Sequence, residues 1–258
     1  MTATHARRLA KDSSHEGKVA VVTGAARNIG RAIAEGLAAR GAKVMAVDLE
    51  EAVDTVAAIL DAGGTAAALV ADVSSETDVR SLPGAVEEVF GPCSVLVNNA
   101  GICEQGGIIE IDPATWRRIL SVNLDSQFLT ARAFAPGMIA MGWGRIVNVS
   151  SSSIYTSAPG LTAYMASKAG VLGLTSGMAN DLGAHGITVN AVAPALTRTA
   201  IHSQECFDEA LPLITGIQTI KQEGRVQDIV GLVAFLTSDE AYFVTGQFVR
   251  ADGGLSKL

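Results

Sequence analysis

Residues 19–30, Val19-Ala-Val-Val-Thr-Gly-Ala-Ala-Arg-Asn-Ile-Gly30, govern how the rest of the chain is read. The run Val19–Val22 is short, apolar and uninterrupted, the pattern of a strand buried on both faces of a parallel sheet. A glycine-rich turn follows at once. Over Ile29–Arg40, Ile33, Leu37 and Arg40 share one face beside Ala34 and Ala38, which is helical spacing. Similar apolar runs return at Val44–Val47, Ala66–Val70, Val95–Val97, Ile146–Val149, Thr188–Val192 and Gln247–Val249. Between them, Asp112–Met141 and Thr162–Leu182 are long, rich in small residues and apolar at 3–4 spacing. Strand alternating with helix implies a parallel sheet covered on both faces. Right-handed crossovers make that sheet doubly wound. The expected fold is α/β: a doubly wound parallel seven-stranded sheet with helices on both faces, in a single domain over 18–258.

The chain has 258 residues, 48% hydrophobic and 17% charged, which excludes disorder for most of it. Residues 1–17 hold Arg7, Arg8, Lys11 and two histidines without an apolar run, and are read as a disordered leader, with an amphipathic targeting segment as the alternative, and not as a secretory signal. The pattern loosens at 199–220, where Pro212 and Gly216 interrupt it, and this stretch is read as a flexible lid. Nineteen basic against 26 acidic residues leave a net charge of −7, which argues against a nucleic-acid partner. Nothing approaches the run of about 18 uncharged apolar residues that a membrane-spanning helix needs. Cys93, Cys103 and Cys206 show no ligand spacing and the four histidines are scattered, so no metal is expected. Thiols without a pairing pattern suit a reducing, cytoplasmic setting.

In the turn, Gly24 permits a tight bend, Ala25 and Ala26 let the backbone approach a pyrophosphate, and Gly30 lets the helix sit close to the sheet. The helix start then offers N–H groups to phosphates. Asp48 lies 18 residues past Gly30 at the end of the second strand. Its carboxylate can accept hydrogen bonds from ribose hydroxyls and would repel a 2′-phosphate, favouring NAD over NADP. Two alternatives stay open: Arg27 could hold a 2′-phosphate, and Asp48 could cap the following helix.

Taken together, Thr23–Gly30, Asn98-Asn-Ala-Gly101, Ser151, Tyr164-x-x-x-Lys168 and Pro194 resemble the short-chain dehydrogenase/reductase family, over about 240 residues from Gly17 to the end. The resemblance implies a Rossmann fold and an NAD-dependent alcohol dehydrogenase or ketoreductase. Two departures are Asn28, where the family usually has glycine, and Ala195 after Pro194 in place of Pro-Gly. Asn tolerates a left-handed backbone, so the turn should survive. The resemblance places Arg27, Asn28 and Ile29 with the glycines on the cofactor, Asp72 and Val73 beside the adenine, and Asn99, Ala100 and Gly101 along the adenosine ribose side. Pro194, Thr197 and Thr199 fall at the nicotinamide and phosphates; the alternative for each Thr is a loop hydroxyl facing water. Asn98 is expected to bond across strands.

Tyr164 and Lys168, at i and i+4, share one helix face. A nearby ammonium should lower the phenol's pKa from its usual ~10 and let Tyr164 exchange a proton with the substrate oxygen. Lys168 should also hold the nicotinamide ribose. Such a pair alone occurs by chance on solvated helices. Ser151, 13 residues upstream, breaks that reading, because its hydroxyl can hold the substrate oxygen. Asn123 matches the family's helix-kink Asn and would hold a water in a proton relay; a structural role is the even alternative.

Ser153, Tyr155 and Leu196 join Ser151 and Tyr164 as candidate substrate contacts, with Cys103, Ile154, Leu161, Ile201 and Phe207 around them. Most are apolar, which points to a hydrophobic secondary alcohol or its ketone. Segments Asn123–Met138, Gly142–Arg145 and Asp181–Thr199 are similar to bacterial NAD-dependent secondary-alcohol dehydrogenases acting on aryl carbinols. One rival is a 3-oxoacyl-thioester reductase for an acyl-carrier protein or CoA. The family's carrier-protein reductases place cations at positions matching Gly142 and His185, and here the lid carries Glu205, Asp208 and Glu209. Another rival, a non-catalytic NAD-binding scaffold or regulator, sits poorly with Tyr164 and Lys168 both present. The long helices and Phe248–Leu258 imply a homotetramer by the same resemblance.

Overall fold

The computed structural model describes residues 13–156, 158–199 and 204–257. Seven parallel strands form one sheet in the order β3-β2-β1-β4-β5-β6-β7. They are β1 (Val19–Thr23), β2 (Lys43–Asp48), β3 (Thr65–Val70), β4 (Val95–Asn98), β5 (Gly144–Val149), β6 (Ile187–Pro194) and β7 (Phe248–Ala251). Helices α1 (Asn28–Ala38), α2 (Val53–Asp61) and α3 (Glu76–Phe90) connect the first four strands. Between β4 and β5 lie α4 (Pro113–Leu120), a π-helical turn at Ser121–Asp125, and α5 (Ser126–Met141). The short α6 (Ser153–Thr156) and the long α7 (Thr162–Leu182) precede β6, and α8 (Gln204–Ile217) and α9 (Val230–Leu236) precede β7.

Both sheet faces are covered, which is why the strands are apolar without alternation. In β1, Ala20 and Val22 enter a core with Ile33 and Leu37 of α1 and Val233 of α9. Val19 and Val21 enter the opposite core with Val79 of α3 and Phe134 and Met138 of α5. The strand order reverses direction between β1 and β4, and in open α/β sheets the crevice beyond such a switch point receives ligands.

Three expectations are corrected. The leader does not extend to residue 17: His15 is fully buried, and its Nε2 lies 2.8 Å from Thr237 Oγ1. Residues 1–12 lie outside the described residues. The expected single helix over Asp112–Met141 is two helices joined by the π turn. The expected loose lid is helical from Gln204 to Ile217 despite Pro212 within it, and the start of the stretch around Ile201 lies outside the described residues. Among the described residues no helix is long and apolar enough to cross a membrane.

Candidate active site

The turn after β1 is held by β4. Thr23 Oγ1 accepts from the N–H groups of Asn99 (3.0 Å) and Ala100 (3.1 Å). Asn99 Nδ2 donates back to the carbonyls of Thr23 (2.9 Å) and Gly24 (3.1 Å). Gly24 has φ +64°, and a Cβ on it would lie 2.9 Å from Ala100 Cα. Gly30 is tighter still: a Cβ there would lie 2.0 Å from the Gly24 oxygen. Asn28 has φ +54°, so the left-handed turn survives in Asn, as its tolerance for that region requires. No side chain caps the start of α1, which leaves its N–H groups facing the crevice. These features fit a dinucleotide: a close-packed turn, an uncapped helix start, and a carboxylate at the end of β2.

Asp48 uses one carboxylate oxygen to accept from the Ala26 N–H at 2.9 Å, so it braces the turn instead of capping α2. Arg27 is exposed and pairs with Glu50 at 3.3 Å. Asp72 Oδ1 accepts from the Ser74 N–H (2.8 Å) and hydroxyl (2.6 Å). Val73 is buried in the core, so only its backbone is left for a ligand. Asn98 bonds Asn148 (3.0 Å) and Thr130 (2.7 Å), the cross-strand structural role expected of it.

A cavity of about 540 Å³ opens at the carboxyl ends of β4, β5 and β6. It brings together Ile29, Asn99, Gly101, Ser151, Ser153, Tyr164, Lys168, Pro194, Leu196, Thr197 and Thr199. Thr197 Oγ1 donates to the Ala195 carbonyl at 3.0 Å, so its hydroxyl is not turned to water. Tyr155 does not reach this cavity. It sits on the short α6, its ring 5.9 Å from that of Phe248 and 4.9 Å from the Arg250 guanidinium. Cys103 and Ile154 are also absent from the wall. Residues not singled out from sequence complete it: Gln105, Pro159, Ala210, Leu213, Ile214, Ile217 and Leu255. Phe207, Ala210, Ile214 and Ile217 follow helical spacing, a signal obscured by treating Pro212 as a break.

The Tyr164 phenol is buried, which pushes its pKa up to about 12; a hydrogen bond with Ser151 pulls it down, and nearby Cys103 raises it. The lowering expected from Lys168 is not seen, because Nζ lies 5.9 Å from the Tyr164 ring centre and bonds the Val149 carbonyl at 2.9 Å. Burial brings the Lys168 ammonium down to about 8, with Cys103 opposing. Asn123 projects from the π turn, yet its side chain is committed. Oδ1 accepts from the Ile102 N–H (2.8 Å), while Nδ2 donates to the Ile102 carbonyl (2.9 Å) and Ser167 Oγ (3.0 Å). That side chain braces the loop after β4, the structural role given as the alternative for Asn123.

The cavity's outer wall is fixed by Arg198, which pairs with Asp208 (3.2 Å) and Glu223 (3.3 Å) and sits 4.2 Å from the Phe207 ring centre. Asp208 is thus balanced by a cation. Gly142 and His185 precede β5 and β6, at the opposite end of the sheet from the cavity. Their lack of strong cations therefore does not bear on this chain's own entrance.

The model of the family described as Enoyl-(Acyl carrier protein) reductase matches residues 24–256. The chain is 36% identical to 3-oxoacyl-[acyl-carrier-protein] reductase FabG of Haemophilus influenzae over 93% of this chain and 98% of that one. A protein from Sinorhizobium meliloti 1021, assigned as a short-chain alcohol dehydrogenase, matches at TM-score 0.90 and 36% identity, over 94% of this chain and 98% of that one. Another from Beutenbergia cavernae, assigned as an NAD(P)-dependent gluconate 5-dehydrogenase, matches at TM-score 0.89 and 37% identity, over 94% and 98%; its structure holds NADP at low occupancy.

Proposed function

The chain belongs to the short-chain dehydrogenase/reductase family, and from that premise we propose that it moves a hydride between NAD(H) and a hydrophobic secondary alcohol or its ketone. The nicotinamide, when bound, supplies or takes the hydride. Gly24, Arg27, Asn28, Ile29 and Gly30 form the phosphate turn, with the α1 N–H groups as donors. Asp48 faces the adenosine ribose, and its negative charge disfavours a 2′-phosphate, while Glu50 holds Arg27 away from that task. The backbone at Asp72 and Val73 flanks the adenine. Asn99, Ala100 and Gly101 line the ribose side, and Pro194, Thr197 and Thr199 border the nicotinamide pocket.

Ser151 holds the substrate oxygen through its hydroxyl. Tyr164, with its phenol pushed up to about 12, enters the reaction protonated and donates to that oxygen as negative charge builds there. Lys168 is placed to hold the nicotinamide ribose hydroxyls, and Asn123 keeps the neighbouring loop in register. The observation that carries the substrate class is the side of the cavity built by α8, where Phe207, Ala210, Leu213, Ile214 and Ile217 line it and Glu209 is the one polar residue; the serines and threonines lie on the opposite side, at the strand ends and the loops after them. Glu209 on that wall also disfavours an anionic carrier or phosphopantetheine chain.

The test is a panel of aryl and alkyl ketones, a 3-oxoacyl thioester and a keto-sugar acid, each run with NADH and NADPH. Hydrophobic ketones should give the highest kcat/KM with NADH. A higher value for the thioester establishes the carrier-type reductase instead, and cofactor binding without any turnover establishes a scaffold. The outward faces of α5 and α7, where Phe128 is 47% exposed beside Leu124 and Leu174, support a homotetramer; light scattering at about one or two chain masses would exclude it.

A further inference from the structure

Gln127 has no place in the reaction so far, yet it touches two of its parts. It lies on α5, one turn past Asn123, and is 1% exposed. Its Nε2 donates to the Asn123 carbonyl at 3.0 Å and to the Val149 carbonyl at 3.4 Å. The Val149 carbonyl is also the acceptor of the Lys168 ammonium, at 2.9 Å. The orientation of the amide is settled by chemistry, since the flipped form would press its oxygen against two carbonyl oxygens. Its Oε1 is left buried with no hydrogen-bond partner. A buried amide with an orphaned oxygen is costly relative to an apolar side chain of the same shape, so core stability does not account for a Gln here.

We propose that Gln127 is a positioning residue for Lys168: its amide shares the Val149 carbonyl with the ammonium, and so weakens the ammonium's hold on the backbone. A carbonyl oxygen has two lone pairs, and both are engaged here. The amide hydrogens also place partial positive charge beside Nζ, which weakens the ammonium's hold on that oxygen. On its other side Nζ has room to move, because residue 101 is glycine; a Cβ there would lie 3.3 Å away. Lys168 is thus held loosely, between a shared carbonyl and an open space facing the proposed cofactor. Cys103 is the titratable group acting on it, and the Tyr164 ring centre lies 5.9 Å from Nζ.

This inference rests on the role proposed for Lys168, so the experiment reads the lysine directly as well as the reaction. The Lys168 13Cε resonance, assigned by its loss in Lys168→Arg, is titrated in the wild type, in Gln127→Met and in Gln127→Ala. Without the amide donor the Val149 carbonyl binds the ammonium more fully, and its titration should move upward by about half a pH unit or more. The alkaline limb of kcat/KM should follow it, with kcat falling about 5-fold and KM for ketone little changed. Gln127→Ala serves the same measurement should Gln127→Met fail to fold. Superimposable titrations in both variants overturn the proposal, whatever the change in Tm. So does a shifted titration with unchanged kcat. A shifted titration in a protein whose wild type turns over no substrate leaves the contact established and overturns the proposed reaction instead.

Discussion

Gly30→Ala is the most direct test of the phosphate turn. The added Cβ would lie 2.0 Å from the Gly24 oxygen and 2.6 Å from Asn99 Nδ2. An ordinary carbon–oxygen contact is about 1.2 Å or more longer, so something must move. Neither neighbour yields easily. The first is backbone, and Asn99 Nδ2 is fixed by bonds of 2.9 and 3.1 Å to the Thr23 and Gly24 carbonyls. Overpacking of this kind costs about 1–3 kcal/mol, and loosening the Asn99 bonds adds about 1 kcal/mol. At about 2–4 °C per kcal/mol for a domain of this size, Tm should fall by roughly 4–16 °C. Opening the turn also moves the N–H groups meant for the pyrophosphate. Losing one charge-assisted hydrogen bond, worth about 1.5–3 kcal/mol, weakens NADH binding by about 10- to 150-fold. The assay is paired thermal unfolding and NADH titration by fluorescence. Gly84→Ala in α3 is the control, because a Cβ there meets nothing within 4 Å. That control should be neutral or stabilising by up to about 1 kcal/mol. An unchanged Tm together with wild-type NADH affinity in Gly30→Ala would refute the close-packed turn.

Tyr164→Phe should lower kcat/KM by at least about 10²-fold while NADH still binds, and near-normal turnover would move the proton transfer elsewhere. Asn28→Gly should be neutral or nearly so, whereas Asn28→Ala, forced to φ +54°, should cost about 1–2 kcal/mol in urea unfolding; equal stabilities would sink the left-handed reading. Asp48→Ser removes both the proposed ribose acceptor and the bond to the Ala26 N–H, and should shift the NADH/NADPH ratio of kcat/KM toward NADPH by about 10-fold or more; an unmoved ratio rules Asp48 out as selector. Lys168 is depressed to about 8 in the folded chain from 10.5, so between those values the unfolded state binds more protons and this residue makes stability rise with pH. Urea unfolding of Lys168→Met at pH 8 and pH 9.5 should lack that rise relative to the wild type; parallel slopes would show that burial does not shift the lysine.

The sheet was legible because burial on both faces leaves its mark directly on composition. Ala20 and Val22 serve one core and Val19 and Val21 the other, so no polar alternation interrupts the run. The turn was legible for a related reason: Gly24 and Gly30 stand where backbone atoms leave no room for a Cβ. Features that depend on distant partners were not. His15 belongs to the fold through Thr237, 222 residues away, and a buried histidine looks no different in sequence from a solvated one. The π turn at Ser121–Asp125 leaves the apolar pattern on both sides intact, so one helix was expected where there are two. Tyr155 was expected in the pocket, but it sits on the four-residue α6 with its ring 5.9 Å from that of Phe248.

The two halves of the site differ in why they could be read. Ser151, Pro194 and Asn99 lie at strand ends, where the sheet's hydrogen bonding dictates position, so order along the chain carries over into place in space. The apolar wall lies on α8, outside the sheet, where Arg198 pairs with Asp208 and Glu223. Those exposed ion pairs are each worth no more than about 1 kcal/mol, so the wall's position rests mainly on Phe207, which is 2% exposed beneath it. An anchor of one aromatic and one cation permits the remaining α8 residues to vary without disturbing Tyr164 or the turn. Under the proposed function, substrate choice is therefore separable from proton transfer: changes at Leu213 or Ile217 should alter which ketone is taken, while changes at Ser151 should lower turnover of every ketone alike.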